Sequence, residues 1–597
     1  MKIKVSEYIA DFLVNNNITH CFMLTGGGAM HLDDAIGHKK EITCIFNHHE
    51  QGCAIAAEGY ARVNNKIAAI CVTTGPGGTN AITGVMGGWV DSIPMLVISG
   101  QVKRETTIRS CPDIKLRQLG DQEFDIVTSV SNMTKYAVMV YNANEIAYHL
   151  EKALWLAYNG RPGPVWIDVP LDIQSAYVET DDLLHFNPDS ERVWRTPLAS
   201  KALAEDILAK ISAAKAPLIL TGTGIRVGGA EEEFLRLVEK LEIPVVTAWS
   251  ANDTIAYDSP YFVGVPGTMG TRSGNFAVQN CDLILTLGCR NNIRMIGYNH
   301  FEFAKNAYKI IVDIDPNELC KPTIKPDLPV NADVKQLLNI MLECEYTPAP
   351  HHKKWVDWCR SLVTKYPVAL PEYHDSDPVY INPYVFLDEL FMQLENNDKI
   401  VCSNGSACVI TIQACKIKQG QRMFANSGCA SMGYGLPAAI GASLADKRRT
   451  ICLEGDGSIM MNLQELATIS HNKLNIKIFL INNEGYLSIR QTQSNLFKPP
   501  FVGIGATSGL SFPDFGKIAD AFGISYYLID NKTSASETIS KALTSDGPCL
   551  CEVIVDVKQN FAPKSSSKIL PDGRIVSAAL DDMAPFLDRD EFEKIRY

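Results

Sequence analysis

Short apolar runs that stop at a glycine or an aspartate recur through this chain, and they limit what it can fold into. KIAAICVTT (66–74) ends in the turn GPGGTN, and IPMLVISG (93–100) and GRPGPVWIDVP (160–170) follow it. A second group is APLILTGTG (216–224), IPVVTAW (243–249), CDLILTLG (281–288) and YKIIVDIDP (308–316). A third is DKIVCSNG (398–405), RTICLEGDG (449–457) and IKIFLINN (476–483). Runs without polar alternation suit strands buried on both faces, and helical stretches between them, such as Val5 to Asn16, make the sheets parallel. The chain is predicted to be α/β, with three doubly wound α/β domains of mainly parallel sheets. The polar, acidic stretch 175–195 and TPAPHHKK (347–354) read as linkers. The domains are then expected at 1–180, 190–345 and 375–560, and the charged tail 561–597 as an extended arm on the surface.

Composition narrows the function. At 597 residues, 46% hydrophobic and 20% charged, the chain has enough apolar material for several cores. A net charge of -12 argues against nucleic acid as a partner, because phosphate backbones need a positive surface. The 17 cysteines include no C-x-x-C pair and read as reduced thiols of a cytoplasmic protein. No run is long and apolar enough for a membrane span, and the start MKIKVSEYIADFL lacks the pattern of a secretory signal.

The chemistry concentrates in GDGSIMMNLQELATISHNKLNIKIFLINNEGYLSIRQ (455–491). ICLEGDG puts Asp456 just past the end of a buried strand, where open α/β sheets bind ligands. Met460 to Asn472 reads as a helix, and IKIFLI then brings Asn482 and Asn483 to the same edge. A carboxylate with a carboxamide oxygen is a hard oxygen set that suits Mg²⁺ or Ca²⁺. The glycines of GDG let backbone N–H groups approach a diphosphate.

GDG followed by NN, with 24 residues between Gly457 and Asn482, resembles the diphosphate-binding motif of thiamine diphosphate (ThDP)-dependent enzymes. NHHEQGCAIAAEGYAR (47–62), VTTGPGGTNAITGVMGGWVDSIPMLVISGQV (72–102) and SMGYGLPAAIGA (431–442) extend the likeness to acetolactate synthases across most of the chain. The resemblance implies pyrimidine-binding, middle and diphosphate-binding domains in that order. It makes Glu50 the carboxylate that protonates the aminopyrimidine ring, a proton-shuttle role. Asp456 and Asn483 become Mg²⁺ ligands, with the Gly485 carbonyl as a third. Met432 matches the bulky residue that bends the cofactor, and Ala430 a backbone acceptor for the aminopyrimidine. Gln122 matches a pocket glutamine on the substrate side, and Gly26 and Gly27 a glycine loop near the reactive carbon. Thr74, Gly75 and Asn80 support the pyrimidine. Gly405, Ser406, Gly455, Gly457, Ser458 and Tyr486 complete the cofactor-binding set. The resemblance also implies a homodimer or dimer of dimers, with Glu50 acting on a cofactor held by Asp456 of the partner subunit.

The departures from the family cluster around the substrate. Asp121 stands where acetolactate synthases usually carry phenylalanine, and Thr492 where they usually carry tryptophan. The middle-domain segment CRNNIRM keeps Arg290 and Arg294 but not the family's aspartates, so the resemblance leaves FAD open. The tail is similar to a subset found with surface-polysaccharide pathways. The function expected is a carboligase that decarboxylates a 2-keto acid, pyruvate foremost, and transfers the two-carbon unit to a second carbonyl, either another keto acid or a keto-sugar. Two other readings stand beside it: a simple 2-keto acid decarboxylase or lyase, and a non-catalytic ThDP-binding regulatory protein. Against the decarboxylase, the pocket loop QLGDQEFD has no histidine pair and Ile489 replaces the later glutamate.

Overall fold

The computed structural model describes residues 1–190, 195–569, 572 and 574–597. Three six-stranded sheets dominate it, and every strand pair within them is parallel. The first runs edge to edge through Thr43–Phe46, His20–Met23, Ala69–Val72, Met95–Gln101, Pro164–Pro170 and Tyr136–Met139. The third runs through Arg422–Ala425, Lys399–Cys402, Thr450–Gly455, Ile476–Asn482, Cys549–Ile554 and Ser525–Ile529. Counted along the chain, both follow the order 2-1-3-4-6-5, so the outer domains are topological copies of each other. The middle sheet, from Phe262–Gly264 to Leu328–Asn331, follows 3-2-1-4-5-6, the order of dinucleotide-binding folds. The central strands are buried along their whole length save Asn482 at the end of one, as expected where helices cover both faces.

The outer domains pack through equivalent helices. Glu50–Asn64 lies against Gly435–Ala445, and Ala54, Ala57, Leu436 and Ile440 share one core. The contact is close enough that a Cβ on Gly441 would stand 1.8 Å from the Ala56 carbonyl oxygen, so only glycine fits there.

Four segments differ from their sequence reading. Within 175–195, Tyr177–Glu179 forms a strand that pairs antiparallel with Lys2–Lys4, while residues 191–194 lie outside those described. TPAPHHKK runs into the helix His352–Lys365. The helix expected over Met460 to Asn472 starts late, as Glu465–His471, because the chain turns first around Asn462, whose Nδ2 donates to the Gly433 carbonyl at 2.7 Å; a separate short helix, Asp456–Ile459, precedes that turn. The tail, expected as an extended surface arm, forms a strand pair at Lys564–Ser565 and Met583–Ala584 and the helix Arg589–Lys594, and Leu580 and Met583 are buried against the middle domain.

Candidate active site

The ligand end of an open α/β sheet lies where the strand order reverses. In the third sheet that point falls between Lys399–Cys402 and Thr450–Gly455, and the GDG turn sits on it. Asp456 is 2% exposed. Its carboxylate accepts from the Gly457 N–H at 2.7 Å and the Gly485 N–H at 2.9 Å. Burial outweighs those bonds and pushes its pKa up to about 6. Asn483 follows the neighbouring strand Ile476–Asn482; its Nδ2 donates to Ser406 Oγ at 2.8 Å. The Asn483 Oδ1 is buried without a hydrogen-bond partner. An unmet buried acceptor costs about 1–3 kcal/mol. A buried carboxylate and an unmet carboxamide oxygen at one sheet edge are the donor set that a hard divalent cation satisfies, so the residues present fit Mg²⁺.

Other expected residues gather around this pair. Gly405, at φ +59°, opens the helix Ser406–Ala414 at the same edge, with N–H groups that suit a phosphate. Gly485 has φ +132°, and a Cβ there would lie 1.9 Å from the Ile504 carbonyl oxygen. A Cβ on Gly457 would stand 2.2 Å from the Tyr486 ring, which brings those two together. Ser458 Oγ accepts from the Gly433 N–H at 2.9 Å and so ties the Met432–Gly433 turn to GDG. Met432 is only half-buried. The Ala430 carbonyl accepts from the Asn404 carboxamide, and its second lone pair is left for a ligand.

The first sheet carries the matching set at its own switch point, between His20–Met23 and Ala69–Val72. Glu50 opens its helix, is 7% exposed and accepts from Asn80 Nδ2 at 3.0 Å. The Gly26–Gly28 loop rests on Thr73, whose Oγ1 accepts from the Gly28 N–H at 3.0 Å; Gly27 has open space beside it. Gly75, at φ +60°, touches the Gln122 backbone: a Cβ there would meet the Gln122 carbonyl oxygen at 2.3 Å. Gln122 itself is exposed, at φ +59°.

Behind this half lies a buried hub that the sequence reading missed. Thr74 Oγ1 donates to Gln101 Oε1 at 2.6 Å, and Gln101 Nε2 donates to the Phe124 carbonyl at 2.9 Å and Asp168 Oδ2 at 3.1 Å. Burial pushes Asp168 up to about 7. The available signal was a polar residue inside each apolar run, LVISGQ and PVWIDVP.

Within one chain the domains are joined elsewhere. Glu465 accepts from Asn47 Nδ2 at 2.8 Å and the His48 N–H at 3.1 Å, and Asn462 Nδ2 donates to Gln51 Oε1 at 3.1 Å. Among the described residues no hydrogen bond joins Glu50 or Gln122 to Asp456 or Asn483.

Comparison with known proteins matches this layout. Residues 3–129, 204–341 and 403–553 fit the models of the N-terminal, central and C-terminal domains of thiamine pyrophosphate enzymes. The chain is 31% identical over 559 residues to the acetolactate synthase isozyme 1 large subunit of Escherichia coli (strain K12), covering 94% of this chain and 95% of that protein. It is 31% identical over 582 residues to the isozyme 2 large subunit of the same organism, covering 97% and 100%. The chain belongs to the thiamine pyrophosphate enzyme family and is acetolactate synthase-like. It is a ThDP-dependent enzyme that transfers a ketone or aldehyde group. No described helix is long and apolar enough to cross a membrane.

The departures from the acetolactate synthases now have positions in this enzyme. Asp121 and Thr492 are both exposed, and Thr492 Oγ1 donates back to the Ser488 carbonyl at 3.0 Å. At the switch point of the middle sheet a cavity of about 270 Å³ is lined by Gly224, Gly288, Arg290 and Asp313. Arg290 donates to Asp91 Oδ1 at 3.3 Å. Asn292 caps the short helix Ile293–Ile296 by accepting from the Met295 N–H at 3.2 Å, a local duty that needs no negative charge.

Proposed function

We propose that this enzyme is a Mg²⁺-dependent carboligase that decarboxylates a 2-keto acid, pyruvate foremost, and passes the two-carbon unit to a hydroxylated carbonyl acceptor such as a keto-sugar, in surface-polysaccharide synthesis. Bound ThDP supplies the nucleophilic carbon that takes up and releases the acyl unit. Asp456, Asn483 and the Gly485 carbonyl would hold Mg²⁺ and, with Ser406 and Gly457, the diphosphate. Glu50 would hold the proton at the aminopyrimidine, positioned by Asn80. Met432 would support the bent cofactor, and Gln122 with Gly26 and Gly27 would line the substrate side. FAD is outside the proposal: Asp91 engages Arg290, and asparagines stand where the FAD-bearing synthases carry aspartates.

The observation that carries the acceptor assignment is that polar Asp121 and Thr492 stand exposed where the synthases carry aromatic rings. An acceptor pocket without two rings is wider and more polar. Exposed apolar side chains beside each half-site, Met30 and Phe46 on one and Met460 and Met461 on the other, support a second copy covering them and an active site between chains. The 17 free cysteines support a reducing compartment, the cytoplasm.

The test is product analysis by NMR with ¹³C-pyruvate, ThDP and Mg²⁺, alone and with hydroxylated ketones. The expected result is a branched product that carries label and depends on the added ketone. Rapid acetolactate formation from pyruvate alone, with no gain from sugars, rejects the keto-sugar. Free acetaldehyde as the sole product favours the simple decarboxylase.

A further inference from the structure

Between the strand Met95–Gln101 and the helix Ile126–Val130 the first domain carries a long excursion, which leaves its sheet at the ligand end. Two short turns, Arg104–Thr106 and Ile108–Ser110, are followed by an exposed run over 112–119. No strand or long helix holds this run.

One buried carboxylate holds it instead. Glu123 is 4% exposed. Its Oε1 accepts from the Ile108 N–H at 2.9 Å and its Oε2 from the Leu119 N–H at 2.9 Å, so a single side chain grips both ends of the run. Gln118 Nε2 donates to the Glu123 carbonyl at 3.1 Å, and the Glu123 N–H to the Gly120 carbonyl at 3.2 Å. At the neck of the excursion Gly120 packs on Thr106: a Cβ there would stand 2.7 Å from the Thr106 carbonyl oxygen. A buried carboxylate is costly unless hydrogen-bonded, and charge-assisted bonds from two N–H groups offset that cost.

The same stretch meets the pyrimidine half-site. Gln122 has φ +59°, a left-handed backbone that a glutamine keeps only where its neighbours impose it. Its carbonyl lies against Gly75. The Phe124 carbonyl accepts from Gln101 Nε2 at 2.9 Å, and Gln101 Oε1 accepts from Thr74. The half-site thus fixes the backbone at 122 and 124, while the side chain between them fixes the excursion.

We infer that Glu123 is a positioning residue that acts through Gln122: by stapling the Ile108 and Leu119 amides it holds the left-handed turn at Gln122, and with it the substrate-side wall of the site. The role of Gln122 rests on the carboligase reading; the staple rests on the bonds themselves. Both Glu123 oxygens serve backbone N–H groups, which is a holding duty and not a proton-transfer one. A glutamine there has one acceptor oxygen and turns an amide N–H₂ toward the other backbone donor, so it can make only one of the two bonds. An alanine makes neither.

The test compares Glu123→Gln, Glu123→Ala, Gln122→Ala and the double variant Glu123→Ala/Gln122→Ala with the native full chain, all loaded with ThDP and Mg²⁺. Release of ¹⁴CO₂ from [1-¹⁴C]pyruvate gives KM and kcat, calorimetry gives ThDP affinity, and hydrogen exchange read by mass spectrometry follows the amides of 107–119. Glu123→Ala should raise KM for pyruvate about tenfold or more, the scale expected when a positioned group shifts, and Glu123→Gln should raise it less. ThDP affinity should stay within a few-fold in both. The Ile108 and Leu119 amides should exchange about tenfold faster or more in the alanine variant. The double variant should lose no more than Gln122→Ala alone, because residues that act as one unit are not additive. Should the alanine fail to fold, Glu123→Gln, alone and combined with Gln122→Ala, carries the same comparison. Unchanged exchange at the two amides, losses that add in the double variant, or native KM in both Glu123 variants beside a raised KM in Gln122→Ala overturn the inference. Native KM in Gln122→Ala overturns the substrate-side reading of Gln122 on which it rests. No CO₂ release from pyruvate by the native enzyme overturns the carboligase reading with pyruvate, and amide exchange then still decides the staple.

Discussion

The Gly485 N–H donates to the Asp456 carboxylate at 2.9 Å, closing the distance between two turns that stand 29 residues apart in sequence. The bond holds the carboxylate beside Asn483, whose Oδ1 has no partner. Because the metal-free Asp456 titrates near 6, protons compete with a cation below that pH. Affinity for Mg²⁺ in the presence of ThDP should therefore fall as pH drops below 6, by about tenfold per unit for one displaced proton. Asp456→Asn should lower that affinity by more than about 100-fold, the upper end for losing a mere outer-shell partner. The folded-state pKa is raised, so the charge costs stability above the unfolded carboxyl's pKa, and the asparagine should not destabilise the metal-free chain at pH 7. Calorimetry across pH 5 to 8 checks both expectations.

Glu50 keeps one hydrogen bond, from Asn80, and a glutamine preserves an acceptor there. Glu50→Gln should retain the fold and bind ThDP within a few-fold, yet lose about 10²–10⁴-fold in turnover, the usual contribution of a positioned proton-transfer group. Cofactor titration and pyruvate turnover on the same preparation separate the two effects. Wild-type turnover in the variant would remove Glu50 from the mechanism.

These residues were legible because the fold writes them at strand ends. ICLEGDG and IKIFLINN each show an apolar run stopping at a polar turn, and adjacent parallel strands then bring Asp456 and Asn483 to one edge. What stayed hidden depends on partners distant in sequence. Nothing local tells that Tyr177–Glu179 pairs with Lys2–Lys4, or that Met583 seats beside Asn275. Gln101 looks like an ordinary strand terminus until Thr74, Phe124 and Asp168 surround it. The late start of the expected helix goes with the bonds that Asn462 makes to Gly433 and Gln51, one of them in another domain.

Gly75 and Gly27 look alike in sequence but differ in surroundings. A methyl group on Gly75 meets both a left-handed backbone and the Gln122 carbonyl at 2.3 Å, while Gly27 has open space. The left-handed conformation alone costs an alanine about 1–2 kcal/mol. Gly75→Ala should lower the thermal unfolding midpoint of the metal-free chain and Gly27→Ala should not. Equal midpoints would mean that the Gly75 and Gln122 loops part without cost.

Asp168 is 1% exposed and its pKa is pushed up to about 7 by burial. The folded chain thus holds this proton more tightly than the unfolded chain, whose carboxyl titrates near 4. Stability is lost as pH rises from about 4 to about 7 and levels off above, with a slope of up to about 1.4 kcal/mol per pH unit. Asp168→Asn removes that loss, so its stability relative to the native chain should grow through the same window. Urea midpoints at pH 5, 6 and 7.5 measure it, and a constant difference across the three would show that Asp168 does not titrate there.

The strongest test of where the active site lies uses two inactive chains. Glu50→Gln damages only the pyrimidine half, and Asp456→Asn only the diphosphate half. If each site takes Glu50 from one chain and Asp456 from its partner, a mixed dimer contains one doubly damaged site and one intact site. Random co-assembly of equal amounts makes half the dimers mixed, so activity should return to about a quarter of the native value. If both halves served one site within a single chain, every site would carry a damaged half and mixing would restore nothing. The domain contacts run through Glu465, Gln51 and Asn462, away from Asp456 and Asn483, which favours the first outcome. Co-expressed, differently tagged chains purified through both tags enrich the mixed dimer, and its activity should then rise to about half.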